Sequence, residues 1–378
     1  MTPIAADATR VSPVPFLDLV TQHRALEEEL VDAFRRALRT ARFVNGPEVT
    51  AFESEFAAYV GAAGCVGVSS GTDALRFALA ALGVRPGDEV ITTPHTFIAT
   101  TEAVSQVGGV LRFVDIDPRT MTIDPNLVAA AITPRTVGIL PVHLYGHPAD
   151  LDPLLALAAK RGLWVLEDAC QAHGARYHGK RAGGIGKVAA FSFYPGKNLG
   201  ACGDAGAVTG GQAGRLDAVR RLREHGQGQK YFHETEGYTG RLDAVQAAVL
   251  RIKLHHLDSW VEGRRQAAQW YRQALGDVAD VELPAEAEWA RHVYHLFVIR
   301  AERRNELQAH LEKAGIGTGL HYPLPLHLQK AYAHLGLKRG SFPVTERTSD
   351  RLLSLPMFAE LTETDVARVA DSVRSFYR

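Results

Sequence analysis

Short apolar segments alternate with helical segments from residue 65 to residue 166, and this alternation constrains the fold more than any other feature. The apolar segments show no polar face, and turn residues such as Arg85-Pro86-Gly87-Asp88 separate them from helices. Such strands are typical of a mostly parallel sheet covered by helices on both sides, so we predict an α/β fold. The predicted strands are 65–68, 89–92, 111–114, 137–140 and 163–166; the predicted helices are 74–82, 99–106, 126–131 and 151–161.

The rest of the chain follows a different pattern. Helical periodicity predicts helices at 22–40, 49–59, 242–257, 260–275 and 304–314, a β-like stretch at 294–299, and a last helix that begins near Thr364. The 378 residues suffice for two domains. We predict a large α/β domain over residues 1–250, including the N-terminal helices, and a smaller α+β domain over residues 251–378.

Composition excludes several classes of protein. Lys and Arg residues number 42, as do Asp and Glu residues, so no basic excess indicates nucleic-acid binding. Cys65, Cys170 and Cys202 form no paired motif, which predicts buried reduced thiols and neither disulfides nor a metal site. Residues 1–15 lack the apolar core of a secretory signal and are too short for a DNA-binding module. We expect a cytoplasmic protein that binds neither membrane nor nucleic acid.

A carboxylate and a lysine follow two apolar segments of the predicted sheet. Asp168 follows the segment at 163–166, and Lys197 comes shortly after Phe191-Ser192-Phe193. Taken alone, Lys197 could be a surface charge and Asp168 a helix cap. In open α/β sheets, however, ligands bind at the carboxyl ends of the strands, where both side chains would lie. The pair suits an aldehyde cofactor, because a lysine can form a Schiff base and a carboxylate keeps a pyridine ring protonated.

Two further segments suit a phosphorylated aromatic ligand. Ser69-Ser70-Gly71-Thr72-Asp73 lies between a predicted strand and a predicted helix, and Ser192 adds a hydroxyl near Lys197. Backbone N–H groups at a helix N-terminus bind phosphate, although the same residues could form an ordinary N-cap. Phe97 follows the strand at 89–92 and could either stack on a ligand ring or pack in the core.

Together these segments resemble the DegT/DnrJ/EryC1/StrS sugar aminotransferases, a family of fold type I, or aspartate aminotransferase-like, enzymes. The resemblance covers nearly the whole chain in ordered motifs, at residues 43–49, 70–75, 167–174, 191–197, 203–207, 241–248 and 321–327. It implies a three-layer sandwich around a mostly parallel sheet with a smaller C-terminal α+β domain. It also implies pyridoxal 5′-phosphate (PLP) as the cofactor.

The resemblance places four side chains around the cofactor ring. Lys197 would form the Schiff base, and Asp168 would pair with the pyridine nitrogen; these two residues are the implied catalytic pair. Gln171 would bond the phenolic oxygen, and Phe97 would stack on the ring.

The resemblance also implies contacts with the phosphate and the substrate. Gly71, Thr72 and Ser192 would hold the phosphate. Arg241 would extend towards the cofactor phosphate of the neighbouring subunit, which implies a homodimer with its active site at the interface. The residues expected to contact the sugar or nucleotide are Tyr194, His225, His321 and Tyr322.

The stretch from His225 to His233, followed by Gly237-Tyr238, is most similar to members that aminate C3 of a dTDP-linked 3-keto-6-deoxyhexose. The implied cycle is ping-pong: L-glutamate converts PLP to its amino form (PMP), which then aminates the keto sugar. Alternatives within the family are a UDP-linked 3-keto sugar, a 4-keto sugar, or glutamine with a keto-cyclitol. Two further classes remain. One is a PMP-dependent dehydratase, whose known members replace the lysine with histidine, and the other is a non-catalytic sensor.

Two positions depart from the family pattern. Many relatives carry Asn-Ser before the Arg241-Leu242-Asp243 stretch, where this chain has Thr239-Gly240. A side chain is therefore lost from that loop, which puts its substrate contacts in question. Cys170 stands where a small alanine is usual.

Overall fold

The computed structural model describes residues 13–378, so most of the segment on which the signal prediction depends lies outside the described residues. The strands in this range are β1 (Gly64–Val68), β2 (Glu89–Thr92), β3 (Val110–Phe113), β4 (Thr136–Ile139), β5 (Trp164–Asp168), β6 (Arg176–Tyr177), β7 (Lys180–Arg181), β8 (Val188–Ser192), β9 (Gly206–Gly210), β10 (Gln227–Gln229), β11 (Phe232–His233), β12 (Val281–Glu282), β13 (Ala290–Arg291), β14 (Phe297–Ala301) and β15 (Leu352–Leu355).

The α-helices are joined by three short 3₁₀ helices at Leu144–Gly146, Leu326–Leu328 and Lys330–Leu335. The α-helices are α1 (Leu19–Ala25), α2 (Glu27–Thr40), α3 (Pro47–Val60), α4 (Gly71–Ala81), α5 (Ile98–Gln106), α6 (Pro125–Ala131), α7 (Leu151–Arg161), α8 (Ala213–Arg223), α9 (Ala244–Leu254), α10 (Leu257–Leu275), α11 (Arg304–Lys313), α12 (Pro343–Arg351) and α13 (Glu363–Tyr377).

A seven-stranded sheet forms the centre of the molecule, in the order β1-β9-β8-β5-β4-β2-β3. β9 runs antiparallel to both of its neighbours, and the remaining adjacent pairs are parallel. β5 and β8 lie side by side, with Asp168 paired to Ala190. The sheet is therefore mostly parallel, as predicted. It places β5, which carries Asp168, next to β8, which precedes Lys197.

Helices cover both faces of the sheet, which explains why its strands have no polar face. Leu166 packs in a buried cluster with side chains of α4, α5 and α8. Its neighbour Val165 packs on the opposite face with side chains of α6 and α7. Phe191 of β8 lies on the same face as Val165 and packs with side chains of α3 and α9. Successive side chains of a strand point to opposite faces, so both must be apolar in a three-layer sandwich.

A second core lies beyond the central sheet. It joins α10, α11 and α13 to the three-stranded sheet β12-β14-β15, around buried side chains such as Tyr271, Phe297 and Val369. Val14, near the start of the described residues, packs in this core and pairs with Ile316. The 3₁₀ helices at 326–328 and 330–335 pack back against the central sheet. Their Leu326 and Tyr332 are buried in the same cluster as Leu166. The domain division at residue 250 stays a prediction.

Several predicted elements differ from the observed ones. The predicted helix at 22–40 is two helices, α1 and α2, because the backbone leaves helical geometry at Leu26. The predicted helix at 242–257 spans only α9, and the β-like stretch at 294–299 is β14. The elements that the sequence reading missed are mostly too short or too polar to show a clear period: β6, β7, β9 to β13, β15, α8 and α12.

The three cysteines are free, but they are not all buried, contrary to the prediction. Cys65 is buried, Cys170 is partly exposed and Cys202 is exposed. The prediction of a buried thiol is therefore wrong for Cys202, whose surroundings of small residues do not enclose it. Within residues 13–378, no helix is both long and apolar enough to cross a membrane.

Candidate active site

A cavity of about 590 Å³ opens where the parallel strands end. It collects side chains from the central sheet, from the segment before α1 and from the loop around residue 321. All predicted site residues except Arg241 and His225 line it: Gly71, Thr72, Phe97, Asp168, Gln171, Ser192, Tyr194, Lys197, His321 and Tyr322.

Lys197 lies in a turn after β8, where its N–H donates to the carbonyl of Tyr194 at 2.8 Å. Its side chain reaches the cavity, so the alternative of a free surface charge is wrong. Burial by the surrounding protein lowers the pKa of Lys197, while the neighbouring Cys170 and Asp168 oppose that shift. A lowered pKa increases the share of the neutral amine, which is the form that can attack an aldehyde.

Asp168 ends β5 and is 4% exposed. Its Oδ2 accepts a hydrogen bond from Thr100 Oγ1 at 2.7 Å, and its Oδ1 accepts one from the N–H of Cys170 at 3.2 Å. The next element is β6, so Asp168 does not cap a helix. Thr100 was not predicted as a site residue, because a buried threonine on a helix has no distinctive sequence signal.

The start of α4 has the geometry of a phosphate cradle. Ser70 caps the helix by accepting from the N–H of Asp73 at 3.1 Å, so the N-cap alternative is true of Ser70. The N–H groups of Gly71 and Thr72 lie in the first turn, where a helix provides no carbonyl partner. A Cβ at Gly71 would lie 2.5 Å from Cβ of Ser192, so only glycine allows the helix to approach Ser192 this closely.

Two aromatic rings and an amide line the same cavity as Asp168. Phe97 is 52% exposed, which rules out the core alternative, and its ring lies 5.7 Å from that of Tyr322. Gln171 Nε2 donates to Tyr322 Oη at 3.2 Å. Burial raises the pKa of Tyr322 to about 12, so its phenol stays protonated at neutral pH.

His321 lies against a residue that the sequence reading did not predict. Its ring stacks on Phe16, with centroids 5.6 Å apart, and its Nδ1 lies 2.8 Å from Ser354 Oγ. Burial and the charge of Lys197 lower the pKa of His321 to about 4, so the ring is neutral at pH 7. The other lining residues missed from the sequence include Leu17, His295 and Met357, which come from distant segments.

Arg241 and His225 lie outside the cavity of their own chain. Arg241 Nη1 donates to Glu224 Oε1 at 2.9 Å, and His225 Nε2 lies 3.1 Å from Thr239 Oγ1. Gly240, next to Arg241, departs from the family pattern, and the structure explains why a glycine is needed there. A Cβ at this position would lie 2.5 Å from Cε2 of Phe77. Phe77 thus occupies the space of the lost side chain. The roles of Arg241 and His225 stay predictions.

Cys170, the other departure, also lines the cavity. Burial raises the pKa of its thiol, as does the neighbouring Asp168. The thiol therefore stays protonated at neutral pH and acts as a small, neutral part of the wall.

Comparison with known proteins matches residues 24–374 to the DegT/DnrJ/EryC1/StrS aminotransferase family. The chain is 51% identical over 362 residues to the erythromycin biosynthesis sensory transduction protein EryC1 of Saccharopolyspora erythraea, covering 96% of this chain and 99% of that protein. It is 50% identical over 364 residues to the dTDP-3-amino-3,4,6-trideoxy-alpha-D-glucose transaminase of Streptomyces venezuelae, covering 96% of each.

A solved structure is similarly close. The crystal structure of DesV from S. venezuelae, in complex with a ketimine intermediate, superposes with a TM-score of 0.95 at 49% identity, covering 97% of this chain and 99% of that one. These matches confirm the predicted fold type I architecture and the predicted class of PLP-dependent aminotransferase. The chain belongs to the DegT/DnrJ/EryC1/StrS aminotransferase family.

Proposed function

We propose that this protein uses PLP to transfer the amino group of L-glutamate to C3 of a dTDP-linked 3-keto-6-deoxyhexose. The observation that carries the proposal is the placement of Lys197 and Asp168 in one cavity, at the ends of the neighbouring parallel strands β8 and β5. The choice of sugar is supported by the 50% identical transaminase, which covers nearly all of both chains.

The residues fit the cofactor. When bound, PLP supplies an aldehyde and a protonated ring that withdraws electrons from the reacting carbon. Lys197 would bind the aldehyde and later move a proton at its Nζ, which its lowered pKa favours. Asp168 would pair with the pyridine nitrogen, and hydrogen bonds from Thr100 and the N–H of Cys170 hold its carboxylate in a fixed orientation.

The start of α4 fits the phosphate for a separate reason. A Cβ at Gly206 would lie 2.2 Å from the carbonyl oxygen of Ser70, as a Cβ at Gly71 would touch Ser192. Because both positions are glycine, β9 can pack closely against Ser70, and the N-terminus of α4 can lie close to the Ser192 hydroxyl. Helix N-termini with free N–H groups favour anions there.

The charge of the cavity supports a homodimer. Among the described residues that line it, Lys197 is the sole Lys or Arg side chain, and His295 and His321 are neutral at pH 7 because burial lowers the pKa of each. Glutamate brings two carboxylates, and a nucleotide sugar brings a diphosphate. Buried anions need cationic partners, so we infer that a second subunit supplies them, with Arg241 as the candidate.

The surface of the chain supports the same inference. α2 buries only Ala33, although its sequence is strongly amphipathic, and Phe34 and Leu38 on this helix are 49% and 56% exposed. Near the hairpin β10-β11, Tyr231 and Phe232 are 78% and 68% exposed. Large exposed apolar side chains in groups mark interaction surfaces, so we expect these two regions to be covered in the dimer.

The test is a reconstituted reaction. We expect purified protein with PLP and L-glutamate to convert a dTDP-linked 3-keto-6-deoxyhexose to the amino sugar, with an equal amount of 2-oxoglutarate, as measured by mass spectrometry. Turnover of a UDP-linked 3-keto sugar, a 4-keto sugar, or a keto-cyclitol with glutamine would select one of the alternatives. Deoxygenated product without amine would indicate a dehydratase, and PLP binding without any turnover would indicate a sensor.

A further inference from the structure

A buried tyrosine behind the cavity joins two groups of site residues. Tyr145 is 2% exposed and lies in the 3₁₀ helix Leu144–Gly146. Its phenol donates a hydrogen bond to the backbone carbonyl of His321. His321 and its neighbour Tyr322 line the cavity, so Tyr145 holds their backbone from outside the substrate space.

The direction of each hydrogen bond in this group can be assigned. Tyr145 Oη also lies 3.0 Å from His95 Nε2. A carbonyl only accepts, so the one phenolic proton goes to His321, and His95 must donate from Nε2. Burial lowers the pKa of His95 to about 4, so this histidine is neutral and carries its proton on Nε2 at pH 7.

The backbone of Tyr145 holds a second site residue. Its N–H donates to Gln171 Oε1 at 2.8 Å. The amide of Gln171 is thereby oriented with Nε2 towards the cavity, where it donates to Tyr322 Oη at 3.2 Å. Tyr145 thus bonds both to the side chain of Gln171 and to the backbone of His321.

The packing around Tyr145 makes this link a rigid one. Tyr145 is buried in one cluster with Val142, next to the end of β4, and with Leu296 and Val298, just before and within β14. Gly146, the next residue, has positive φ, and a Cβ there would lie 2.7 Å from Val293. Tyr145 therefore lies between the central sheet and β14, next to the residues that line the cavity.

We propose that Tyr145 is a positioning residue that holds the His321-Tyr322 pair in register with Gln171, and so sets the affinity for the acceptor sugar. The inference rests on the proposed function of this site. Without the phenol, the His321 carbonyl and the His95 N–H lose their partners in a buried place, and the segment that carries both rings can shift. Gln171 keeps the hydrogen bond from the Tyr145 N–H, so we expect the cofactor side to change less than the acceptor side.

The experiment compares Tyr145→Phe with Tyr177→Phe in the PLP-loaded protein. Tyr177 is the control, since it is also 2% exposed and its phenol donates a partly buried hydrogen bond, at 2.8 Å to Asp150, outside the cavity. For Tyr145→Phe we expect kcat/KM for the keto sugar to fall about tenfold or more, mainly through KM, with the glutamate half-reaction within about twofold of wild type. Tyr177→Phe should leave both half-reactions unchanged.

A binding readout separates positioning from a loss of folding. Calorimetric titration of the PLP-free protein with the dTDP-linked amino sugar should show weaker binding for Tyr145→Phe, at an unchanged stoichiometry. If that variant does not fold, His95→Leu removes the donor to the same phenol and should show a smaller shift in the same direction.

The outcomes distinguish the two proposals. Equal loss in both half-reactions, or an unchanged acceptor KM, would overturn the role of Tyr145. A wild-type protein that neither binds nor aminates the sugar would instead overturn the proposed function.

Discussion

Thr100 on α5 fixes the carboxylate of Asp168 on β5: the two oxygens, Oγ1 and Oδ2, lie 2.7 Å apart, and both residues are buried. Thr96 Oγ1 lies 2.9 Å from Thr100 Oγ1. Because Thr100 gives its proton to the carboxylate, Thr96 must donate to Thr100. The orientation of the proposed partner of the cofactor ring therefore depends on the segment that also carries Phe97.

Replacing Thr100 with valine tests this arrangement with little change in shape. Thr100→Val should weaken PLP binding about fivefold to tenfold, because the carboxylate loses a donor worth about 1 kcal/mol and can rotate. Titration of the PLP-free protein, followed by absorbance, measures the affinity. The control is Thr92→Val, which removes a buried hydroxyl that donates to Leu140 at 2.8 Å, away from Asp168. Equal PLP affinity in the two variants would contradict the prediction.

The identity of the Schiff-base lysine can be read directly. Sodium borohydride should fix PLP to the peptide that contains Lys197 and to no peptide of the Lys197→Ala variant, whose aminotransferase activity should fall at least about a thousandfold. Lys253 is the internal control, since it is fully buried and its Nζ donates to the carbonyl of Gly200 rather than facing the cavity. Peptide mass spectrometry distinguishes the two lysines. Labelling of Lys253, or labelling that survives in the variant, would reject Lys197.

A shared active site predicts recovery of activity between two inactive variants. Lys197→Ala and Arg241→Ala should each be nearly inactive as pure dimers. Random mixing makes half of the dimers hybrid, each with one intact site, so the mixture should recover about a quarter of wild-type activity. Lys197→Ala mixed with Asp168→Ala is the control, because both changes act within one chain's cavity and no hybrid site is intact. If neither mixture recovers, Arg241 does not serve the neighbouring subunit.

Acid should destabilise the fold through its buried histidines. His173 is 1% exposed and packs against Phe191 and Phe193; burial and then Lys197 lower its pKa to about 3. The unfolded histidine has a pKa near 6.5, so between pH 6.5 and 3 the unfolded chain holds a proton that the native chain lacks. Stability must therefore fall as the pH falls through this window.

The variant His173→Leu isolates this contribution. Between pH 7.5 and pH 5, wild type should lose about 1 to 2 kcal/mol more of its free energy of unfolding than the variant does. Urea unfolding of both proteins at the two pH values gives the difference. An equal loss in both would mean that His173 is not a source of the acid sensitivity.

The close contact between Gly240 and Phe77 predicts coupled substitutions. Gly240→Ser should destabilise the protein by about 1 to 3 kcal/mol, because the new Cβ meets the phenylalanine ring. Phe77→Leu alone should also destabilise it by leaving a void. In the double variant the serine partly fills that void, so the two costs should not add. Additive losses in urea unfolding would refute the pairing.

The alternation of strands and helices was predictable because it is a local pattern. An apolar strand followed by a turn and a helix is read within about ten residues, and β1 to β5 and α4 to α7 agree with that reading to within a few residues. The end of a parallel strand also predicts where a ligand binds, so Asp168 and Lys197 could be placed at one site. Strands of two or three residues, such as β6, were missed because so short a segment carries no period.

The sequence by itself thus determined the α/β architecture, the family, and the residues that lie in its motifs. Only the tertiary structure decided which other side chains support them. Tyr145 and His321 are separated by 176 residues, and Thr100 and Asp168 by 68. No local pattern relates such pairs, because their contact depends on how the two cores pack and on which buried polar groups must find partners once water is excluded. That packing makes Thr100 and Tyr145 parts of the site's support.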